Sequence, residues 1–409
     1  AYQAGSDMNQ LDVDAVEQAS AARFVDQRHF EEDKIFFLTA SDSAESDYWF
    51  WAILSDAAPS GAFELQVPAA YEGVGHISVG LTGLTSTRHE VQVQVNGFEI
   101  GSVVFSGNTR HTQTLELPVS VFANGGDSLA VVMTLTKNES NNWNALLLDD
   151  FTVDYVRGYT ATADRLAYSS AGLTTLGGFS HEEVVTMQVT DPRHPVWVNG
   201  GVVSAAGGNF SYSADLPLGD YVSSSSDGLL TPVSVVIDAA SDLVSKRNHA
   251  DYVIIATDEL WEGAVALADY RSANLDTMVV NLQDIFDEFA WGEPDPSAIR
   301  GLVKASRQWR TVPRYFVLLG DGNFDYQDRM GLGYNIISPM MTGGRKDLHT
   351  NDTLLGDPDE TGKPLAAVGR IPAKTLQQAM DYVAKVKAFE NGSFNLPSMI
   401  LTDRPDRAG

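Results

Sequence analysis

The spacing of apolar residues changes near Asp238, and this change constrains the fold more than any other feature of the sequence. Before it, apolar and polar residues alternate, as in residues 89–95, which is the pattern of a strand with one buried face. After it, continuous apolar runs such as residues 252–256 alternate with segments of helical spacing, which is typical of a parallel sheet covered on both faces. The sequence therefore predicts a multidomain protein with a β part followed by an α/β part.

Residues 28–159 predict a β-sandwich of jelly-roll type, because short alternating runs follow one another with Gly, Asn and Ser between them. Asn96 and Gly97 follow directly after the run at 89–95 and predict a type I′ hairpin, since both residues tolerate positive φ. Residues 160–240 predict a second, small β-sandwich with a hairpin at Asn199 and Gly200 and a last strand at 232–237.

Residues 1–27 are polar and rich in alanine, and we expect them to be a leader or linker. Val13, Val16 and Phe24 share one face at helical spacing, which leaves a short amphipathic helix or a loose leader open. No chemistry follows from this segment.

Residues 241–409 predict a three-layer α/β domain. Strands are expected at 252–256, 277–282, 315–319, 366–368 and 399–402, and helices at 260–272, 297–309 and 375–389. The last strand is followed at once by the end of the chain, and the chain begins without Met, so we expect truncation at both ends.

Composition narrows the classes of partner. The formal net charge is −27, so nucleic acid and anionic membrane are unexpected partners, because phosphates would be repelled. The chain has no cysteine, which excludes disulfides, thiolate zinc sites and a thiol nucleophile from this polypeptide. No apolar run of about 20 residues is present, so no membrane span is expected. An acidic surface fits a secreted or saline-exposed protein, whereas the absence of cysteine does not fix the compartment. The expected location is outside the cell or on its surface.

Carboxylates follow several predicted strands of the α/β part. Asp321 and Asp325 come directly after the strand at 315–319, and Asp352 and Asp357 lie in the loop beyond them. In an open α/β sheet, ligands bind beyond the carboxyl ends of strands, and carboxylate oxygens are the ligands that Ca²⁺ prefers. These four residues are therefore candidate Ca²⁺ ligands, and the alternative is that they cap turns and helices.

Two other kinds of site find little support. The run at 320–325 resembles the metal-binding tail motif of haloacid-dehalogenase-type phosphatases, but no upstream strand ends in Asp-x-Asp-x-Thr. Residues 356–363 do not have the spacing of a phosphate-binding loop. They also lack its Ser or Thr, because Pro364 follows Lys363. A metal-dependent phosphatase stays open only as a minor alternative.

Aromatic residues of the first sandwich are candidates for stacking on a sugar ring. Trp49 and Trp51 alternate along one predicted strand, and Trp143 precedes another. Alternation also places half of such aromatics in a core, so core packing is the competing interpretation.

The α/β part resembles the gingipain-like family of cysteine peptidases, which are caspase-related and are secreted mainly by bacteria. The stretches that carry the resemblance keep the family's order and spacing; they lie at 252–257, 284–289 with Gly292, 298–300, 313–315, 318–325, 351–352 and 368–372, followed by the helix through Lys385 and Glu390. The resemblance covers residues 252–409, and it implies a caspase-like α/β fold. It also implies a Cys-His dyad, in which imidazole takes the thiol proton. Both residues of the family pattern fall beyond the strand at 399–402, and His349 lies too early to be the histidine.

The resemblance predicts that the chain is the amino-terminal portion of a secreted gingipain-like cysteine endopeptidase, with two β domains and the first half of the peptidase domain. No catalytic residue is carried over, so the chain alone is expected to be inactive. Its expected partners are protein or peptide substrates bound with the carboxy-terminal half, and a surface assembly. The alternative is a non-catalytic surface adhesion or glycan-binding protein in which the α/β part is a relic scaffold.

Overall fold

A computed structural model describes residues 8–16, 23–38, 47–123, 126–136, 143–333, 335–343 and 348–392. The chain divides into two compact units, of which the first extends to Val235 and the second begins its main segment at Val236. The strands of the first unit, in chain order, are β1 Gln10–Val13, β2 Arg23–Glu31, β3 Ile35–Phe36, β4 Trp49–Phe50, β5 Ala52–Ser55, β6 Ser60–Gln66, β7 Gly75–Gly83, β8 Arg88–Val95, β9 Phe98–Ser106, β10 Arg110–Leu117, β11 Ser128–Leu135, β12 Ala145–Gly158, β13 Arg165–Phe179, β14 Val185–Gln188, β15 Val196–Gly200, β16 Val202–Ala206 and β17 Asn209–Ser224. This unit also contains the short helix α1, Val119–Phe122, and a 3₁₀ turn at Ser226–Gly228.

The predicted jelly-roll-like sandwich is formed by two antiparallel sheets. One has the strand order β10-β7-β12-β2, with β5 also paired to β12, and the other has the order β6-β11-β8-β9. Alternate residues point inward, so that Val91, Val93 and Val95 of β8 are all fully buried. They pack with Leu65, Phe151 and other apolar residues of both sheets in one core. The alternation seen in the sequence thus decides which face of each strand is buried.

The hairpin between β8 and β9 confirms the turn predicted from Asn96 and Gly97. Their φ values are 51° and 82°, which are the left-handed conformations that a type I′ turn requires. The Asn96 side chain adds a hydrogen bond, because its amide nitrogen donates to the Val121 carbonyl over 3.0 Å.

The prediction of a helix or a loose leader at 1–27 is wrong for the residues that the structure describes there. β1 pairs in parallel with β15, and β2 pairs with β12 from its first residue, Arg23. The helical spacing of Val13, Val16 and Phe24 is therefore incidental, because pairing with distant strands determines the conformation. The sandwich begins at Arg23 rather than at residue 28.

The second β part takes the form of one hydrogen-bonded sheet with the order β1-β15-β14-β17-β13, and β16 also pairs with β17. The long strands β13 and β17 change register between Ser170 and Gly172 and again between Leu176 and Phe179. Such irregularities bend a strand. A small core forms around Tyr168, Tyr212, Tyr221 and their neighbours.

Two details predicted for this part are wrong. Asn199 and Gly200 belong to β15, which pairs with β1 and β14 rather than with β16, so they form no hairpin. The two-residue turn lies instead at Gly207 and Gly208, between the paired strands β16 and β17. The run at 232–237 forms no strand in the described chain, and Val233 and Ile237 are almost fully exposed. An apolar run becomes a strand only where the edge of another strand is available for pairing.

The second unit is an α/β domain built on a parallel sheet with the strand order β19-β18-β20-β23. Its strands are β18 Tyr252–Ala256, β19 Thr277–Asn281, β20 Tyr315–Leu319, β21 Met341–Thr342, β22 His349–Thr350 and β23 Ala367–Ile371. Its helices are α2 Trp261–Arg271, α3 Leu282–Ala290, α4 Ser297–Ala305 and α5 Leu376–Glu390, with 3₁₀ turns at Asp258–Leu260, Ser306–Gln308 and Asp352–Gly356. The predicted strand at 399–402 lies outside the described residues.

Both faces of the parallel sheet are covered. Four successive residues of β18, at 253–256, are fully buried, and successive side chains point to opposite faces. Helix α2 packs with α5, and α3 packs with α4. The domain therefore has the three layers that the continuous apolar runs predict. Helix α3 is an addition to the predicted elements; Asn281 caps its start by accepting a hydrogen bond from Gln283 N over 2.8 Å.

Candidate functional site

The candidate site lies at the carboxyl edge, the edge of the parallel sheet where β18, β19, β20 and β23 all end. Ala256 pairs with Asn281 on one side and with Leu319 on the other, and Leu319 pairs with Ile371. The polar segments that follow these strands are thus brought to one edge, where ligands bind in open α/β sheets.

Arg370 of β23 organises the loops at this edge. Its Nε and Nη2 atoms donate to the two carboxylate oxygens of Asp352 over 2.7 and 2.8 Å, a bidentate arrangement. Its Nη1 donates to the carbonyl oxygens of Gly320 and Ile337 over 2.9 and 2.7 Å. The side chain is 13% exposed. One largely buried guanidinium therefore connects the loop after β20, the segment before β21 and the turn after β22.

Asp325 fixes the conformation of the loop after β20. Its carboxylate accepts hydrogen bonds from the backbone nitrogens of Arg329 and Met330 over 2.9 and 2.6 Å, and the residue is 1% exposed. Its carbonyl accepts a hydrogen bond from the Asn335 side chain over 3.1 Å. Asp321, by contrast, is half-buried, and its Oδ2 lies 3.4 Å from Nζ of Lys374.

Asp357 closes the loop that follows the 3₁₀ turn Asp352–Gly356. Its carboxylate accepts hydrogen bonds from the backbone nitrogens of Thr361 and Gly362 over 3.1 and 2.6 Å and from the Thr361 hydroxyl over 3.2 Å. Burial acts to raise the pKa of Asp357, but these donors and the positive charge of Arg300 outweigh it and hold the pKa below the usual range. The ionised form is therefore favoured by the loop itself.

The four predicted Ca²⁺ ligands are each occupied by protein partners. Within the described ranges, no three of Asp321, Asp325, Asp352 and Asp357 offer oxygens close enough together to share one ion. The geometry matches the alternative given above, in which carboxylates hold turns. The Ca²⁺ site stays a prediction.

A further carboxylate at the same edge has a perturbed pKa. Asp284 lies in the first turn of α3, and burial, together with the negative charges of Asp238 and Asp287, raises its pKa. Nearby, the Asn281 side chain donates to Asp258 over 2.6 Å. This part of the edge is acidic and would attract a cationic group.

A cleft of ≈ 690 Å³ opens beside these loops within the same unit. Its lining includes residues from the loop after β20, the turn before Asp357 and the start of α4, among them Tyr326, Met340, Leu354, Asp357, Pro296 and Arg300. Arg300 donates to the Asp357 carbonyl over 3.2 Å and to Glu360 over 3.0 Å. The lining thus combines apolar side chains such as Met340 and Leu354 with charged ones such as Arg300 and Asp357.

The three tryptophans predicted to stack on a glycan lie in different environments. Trp51 is buried in the sandwich core, where it makes edge-on contacts with Phe63 and Phe151, so it cannot receive a sugar. Trp49 is half-buried and packs against Phe36, with ring centroids 5.4 Å apart. Trp143 is 57% exposed. The strand alternation explains the burial of Trp51, and glycan binding stays a prediction for the other two.

The role of Arg370 is the main feature that the sequence analysis missed. It appeared there only as part of a matching stretch, since an arginine in a strand gives no sign of the loops that it contacts. The available signal was that Gly320, Asp352 and Arg370 all lie in stretches that match the gingipain-like pattern.

The fold and the carboxyl edge agree with a comparison against known families: residues 245–401 match the model of peptidase family C25. The resemblance to gingipain-like peptidases is therefore confirmed for this segment. Among solved structures, the chain is similar to dimeric latent PorU from Porphyromonas gingivalis, with a TM-score of 0.67 and 16% sequence identity. The match covers 94% of this chain and 39% of PorU. At this identity it establishes a shared fold.

Two further matches concern smaller proteins. A carbohydrate-binding module, CBM36 in complex with calcium and xylotriose, matches at 14% identity over 31% of this chain and 97% of its own, with a TM-score of 0.21. A family 35 carbohydrate-binding module from Clostridium thermocellum matches at 12% identity over 32% of this chain and 98% of its own, with a TM-score of 0.19. TM-scores this low support no structural conclusion.

No curated protein matches the chain in sequence. Of the described helices, none is long and apolar enough to cross a membrane.

Proposed function

We propose that this chain is the amino-terminal, supporting part of a secreted gingipain-like cysteine endopeptidase, and that it does not hydrolyse peptides by itself. The observation that carries the proposal is the match of residues 245–401 to peptidase family C25, which falls on the parallel sheet and its polar carboxyl edge. The fold shared with PorU, of which this chain spans 39%, supports it further.

The part played by this chain would be to form the floor and loops of a peptide-binding site. Arg370 holds three segments of the carboxyl edge together, and the cleft beside them is large enough for several side chains. In the gingipain-like pattern, a cysteine thiolate attacks the scissile carbonyl and a histidine takes the thiol proton. This chain has no cysteine, so it supplies neither that nucleophile nor the covalent intermediate.

The proposed partners are protein or peptide substrates, and the proposed location is outside the cell or on its surface. The match to a peptidase family supports a polypeptide substrate. The net charge of −27 and the acidic edge near Asp284 favour substrates with basic residues over acidic ones.

Peptidase activity and thiol labelling test the proposal together. The 409-residue chain and the native protein isolated from its source are each incubated with a fluorogenic peptide library and with a thiol-directed peptidyl inhibitor that carries a tag. We expect no hydrolysis and no label for the 409-residue chain. For the native protein we expect hydrolysis, together with label on a cysteine in sequence that continues beyond Gly409. Hydrolysis by the 409-residue chain, or a native protein without such a cysteine, would contradict the proposal.

A further inference from the structure

Three carboxylates that are far apart in the sequence meet in the first unit. Glu31 ends β2, Asp47 lies just before β4, and Asp149 lies within β12. One carboxylate oxygen from each lies within 4.8 Å of those from the other two. Because these residues come from three separate segments, their approach results from the folding of the sandwich and not from local sequence.

Asp149 is buried without adequate partners. Its side chain is 2% exposed, and neither carboxylate oxygen accepts a hydrogen bond from any residue that the structure describes. Nη2 of Arg110 lies 2.6 Å from Oδ2, but the contact lacks hydrogen-bond geometry, and Oδ1 has no such neighbour. A buried carboxylate in this situation is costly unless another positive group completes its surroundings.

The position of Asp149 makes its ionised form costly. Burial raises its pKa to about 7, although the positive charge of Arg110 acts in the opposite direction. The negative charges of Asp47, Asp150 and Glu31 raise it further. The protein thus gathers negative charge where it has excluded water.

A β-bulge places these groups. The pairing of β12 with β7 shifts register between Leu148 and Phe151, and the side chains of both residues point into the sandwich core. The two residues between them, Asp149 and Asp150, are therefore displaced from the regular alternation. Gly80 opposite leaves the space that Asp150 occupies, because a Cβ at position 80 would lie only 2.3 Å from Oδ2 of Asp150. Bulges of this kind commonly re-aim side chains towards a site.

The surrounding cations do not balance the charge. Arg110 is 58% exposed and also lies 3.7 Å from Asp150, so one guanidinium is shared between two carboxylates. His29 contacts Glu31, with Nε2 3.1 Å from Oε2, and is 55% exposed. One oxygen of Asp47 accepts a hydrogen bond from Trp49 N over 2.9 Å. Four carboxylates therefore face one permanent positive charge.

We propose that Glu31, Asp47 and Asp149 form a binding site for a divalent cation of the calcium type. Ca²⁺ holds oxygen ligands at about 2.3–2.6 Å, so two oxygens on one ion lie up to ~5 Å apart, as these do. Mg²⁺ requires near-ideal octahedral geometry and gives up its water reluctantly, so it suits a site formed by three protein carboxylates less well. The bound ion would join the end of β2 and the bulge of β12 to the segment before β4, and so stabilise the sandwich.

Calcium alone is the probe for this site, in calorimetric titration and in thermal unfolding of the 409-residue chain. We expect saturable binding of Ca²⁺ and a rise in Tm with Ca²⁺ concentration, since an ion that binds only the folded state stabilises it. Mg²⁺ should raise Tm less at the same concentration. The variants Asp149→Asn and Glu31→Gln should each lose the Ca²⁺-dependent rise.

Glu64→Gln provides the matched control, because Glu64 is exposed on β6 of the same sandwich and its replacement removes the same charge. This variant should keep the full effect of Ca²⁺. Arg110→Gln tests whether the ion or the arginine supplies the positive charge beside these carboxylates. Removing the guanidinium should tighten Ca²⁺ binding, on the order of tenfold. Absence of saturable binding, or equal Ca²⁺ effects in wild type and Glu31→Gln, would overturn the proposal even if Asp149→Asn does not fold.

Discussion

The carboxylates at the carboxyl edge of the parallel sheet and those of the sandwich differ in how they are neutralised. At the edge, Asp352 is held by Arg370 in two charge-assisted hydrogen bonds, and Asp325 accepts two backbone N–H groups. In the sandwich, Asp149 is just as buried as Asp325, but it accepts no hydrogen bond from the described residues. Acidic residues at a strand end therefore carry little information by themselves, and the state of their partners decides whether a ligand is needed.

This difference also explains why the sequence draws attention to the carboxyl edge and not to the sandwich. Asp321, Asp325, Asp352 and Asp357 stand out because they follow a predicted strand or crowd one loop. Glu31, Asp47 and Asp149 do not stand out, because more than a hundred residues separate the first from the last. A carboxylate that completes a turn and one that lacks a partner look alike in sequence.

Replacing Arg370 should have the largest effect on stability. In Arg370→Met, the Asp352 carboxylate would lose its bidentate partner, and the Gly320 and Ile337 carbonyls would lose a donor. Breaking a largely buried ion pair on one side costs about 3–5 kcal/mol. Urea denaturation should show a loss of this size in the free energy of unfolding.

Arg314→Met is the control for Arg370, because Arg314 is 61% exposed in its ion pair with Asp251. Exposed pairs of this kind contribute about 1 kcal/mol or less. If both variants lost the same small amount, Arg370 would not be the group that holds the loops of the carboxyl edge together.

Replacing Asp325 should have an intermediate effect. Asparagine keeps one acceptor for the backbone N–H groups of Arg329 and Met330, and its NH₂ group meets the other donor. Leaving a buried donor without an acceptor costs about 1–3 kcal/mol, to be measured by urea denaturation of Asp325→Asn. Calorimetry on the same variant should show unchanged Ca²⁺ binding. Loss of that binding would mean that the cation binds at the carboxyl edge and not in the sandwich.

Acidification should act on the loop of Asp357 with the smallest effect. The pKa of Asp357 in the folded chain lies below its ordinary value of 3.8, so its contribution to stability is present above that value and disappears as the pH falls through the folded pKa. Wild type should therefore lose more stability than Asp357→Asn between about pH 5 and pH 2.5, as measured by the urea midpoint at each pH. Parallel pH profiles for the two proteins would show that the loop does not favour the ionised carboxylate.

Features that depend on neighbouring residues could be predicted from the sequence. The turn at Asn96 and Gly97 follows from the φ values that these residues tolerate, and the buried strand β18 follows from its continuous apolar run. The carboxyl edge could also be predicted, because parallel strands end together.

Features that depend on distant partners could not be predicted in this way. β1 is a strand because it pairs with β15, nearly two hundred residues away, and the run at 232–237 is not a strand because no described segment pairs with it. The same limitation hid the role of Arg370, whose three partners lie in segments that are well separated along the chain.

Anomalous diffraction from crystals of the 409-residue chain grown with Mn²⁺ or a lanthanide as a substitute for Ca²⁺ tests the contrast between the two regions most directly. We predict one strong anomalous peak between the carboxylates of Glu31, Asp47 and Asp149, and none among Asp321, Asp325, Asp352 and Asp357. A peak at the carboxyl edge with none in the sandwich would contradict the account, because the ion would then bind where the protein already satisfies its carboxylates and not where it leaves a buried one without a hydrogen bond.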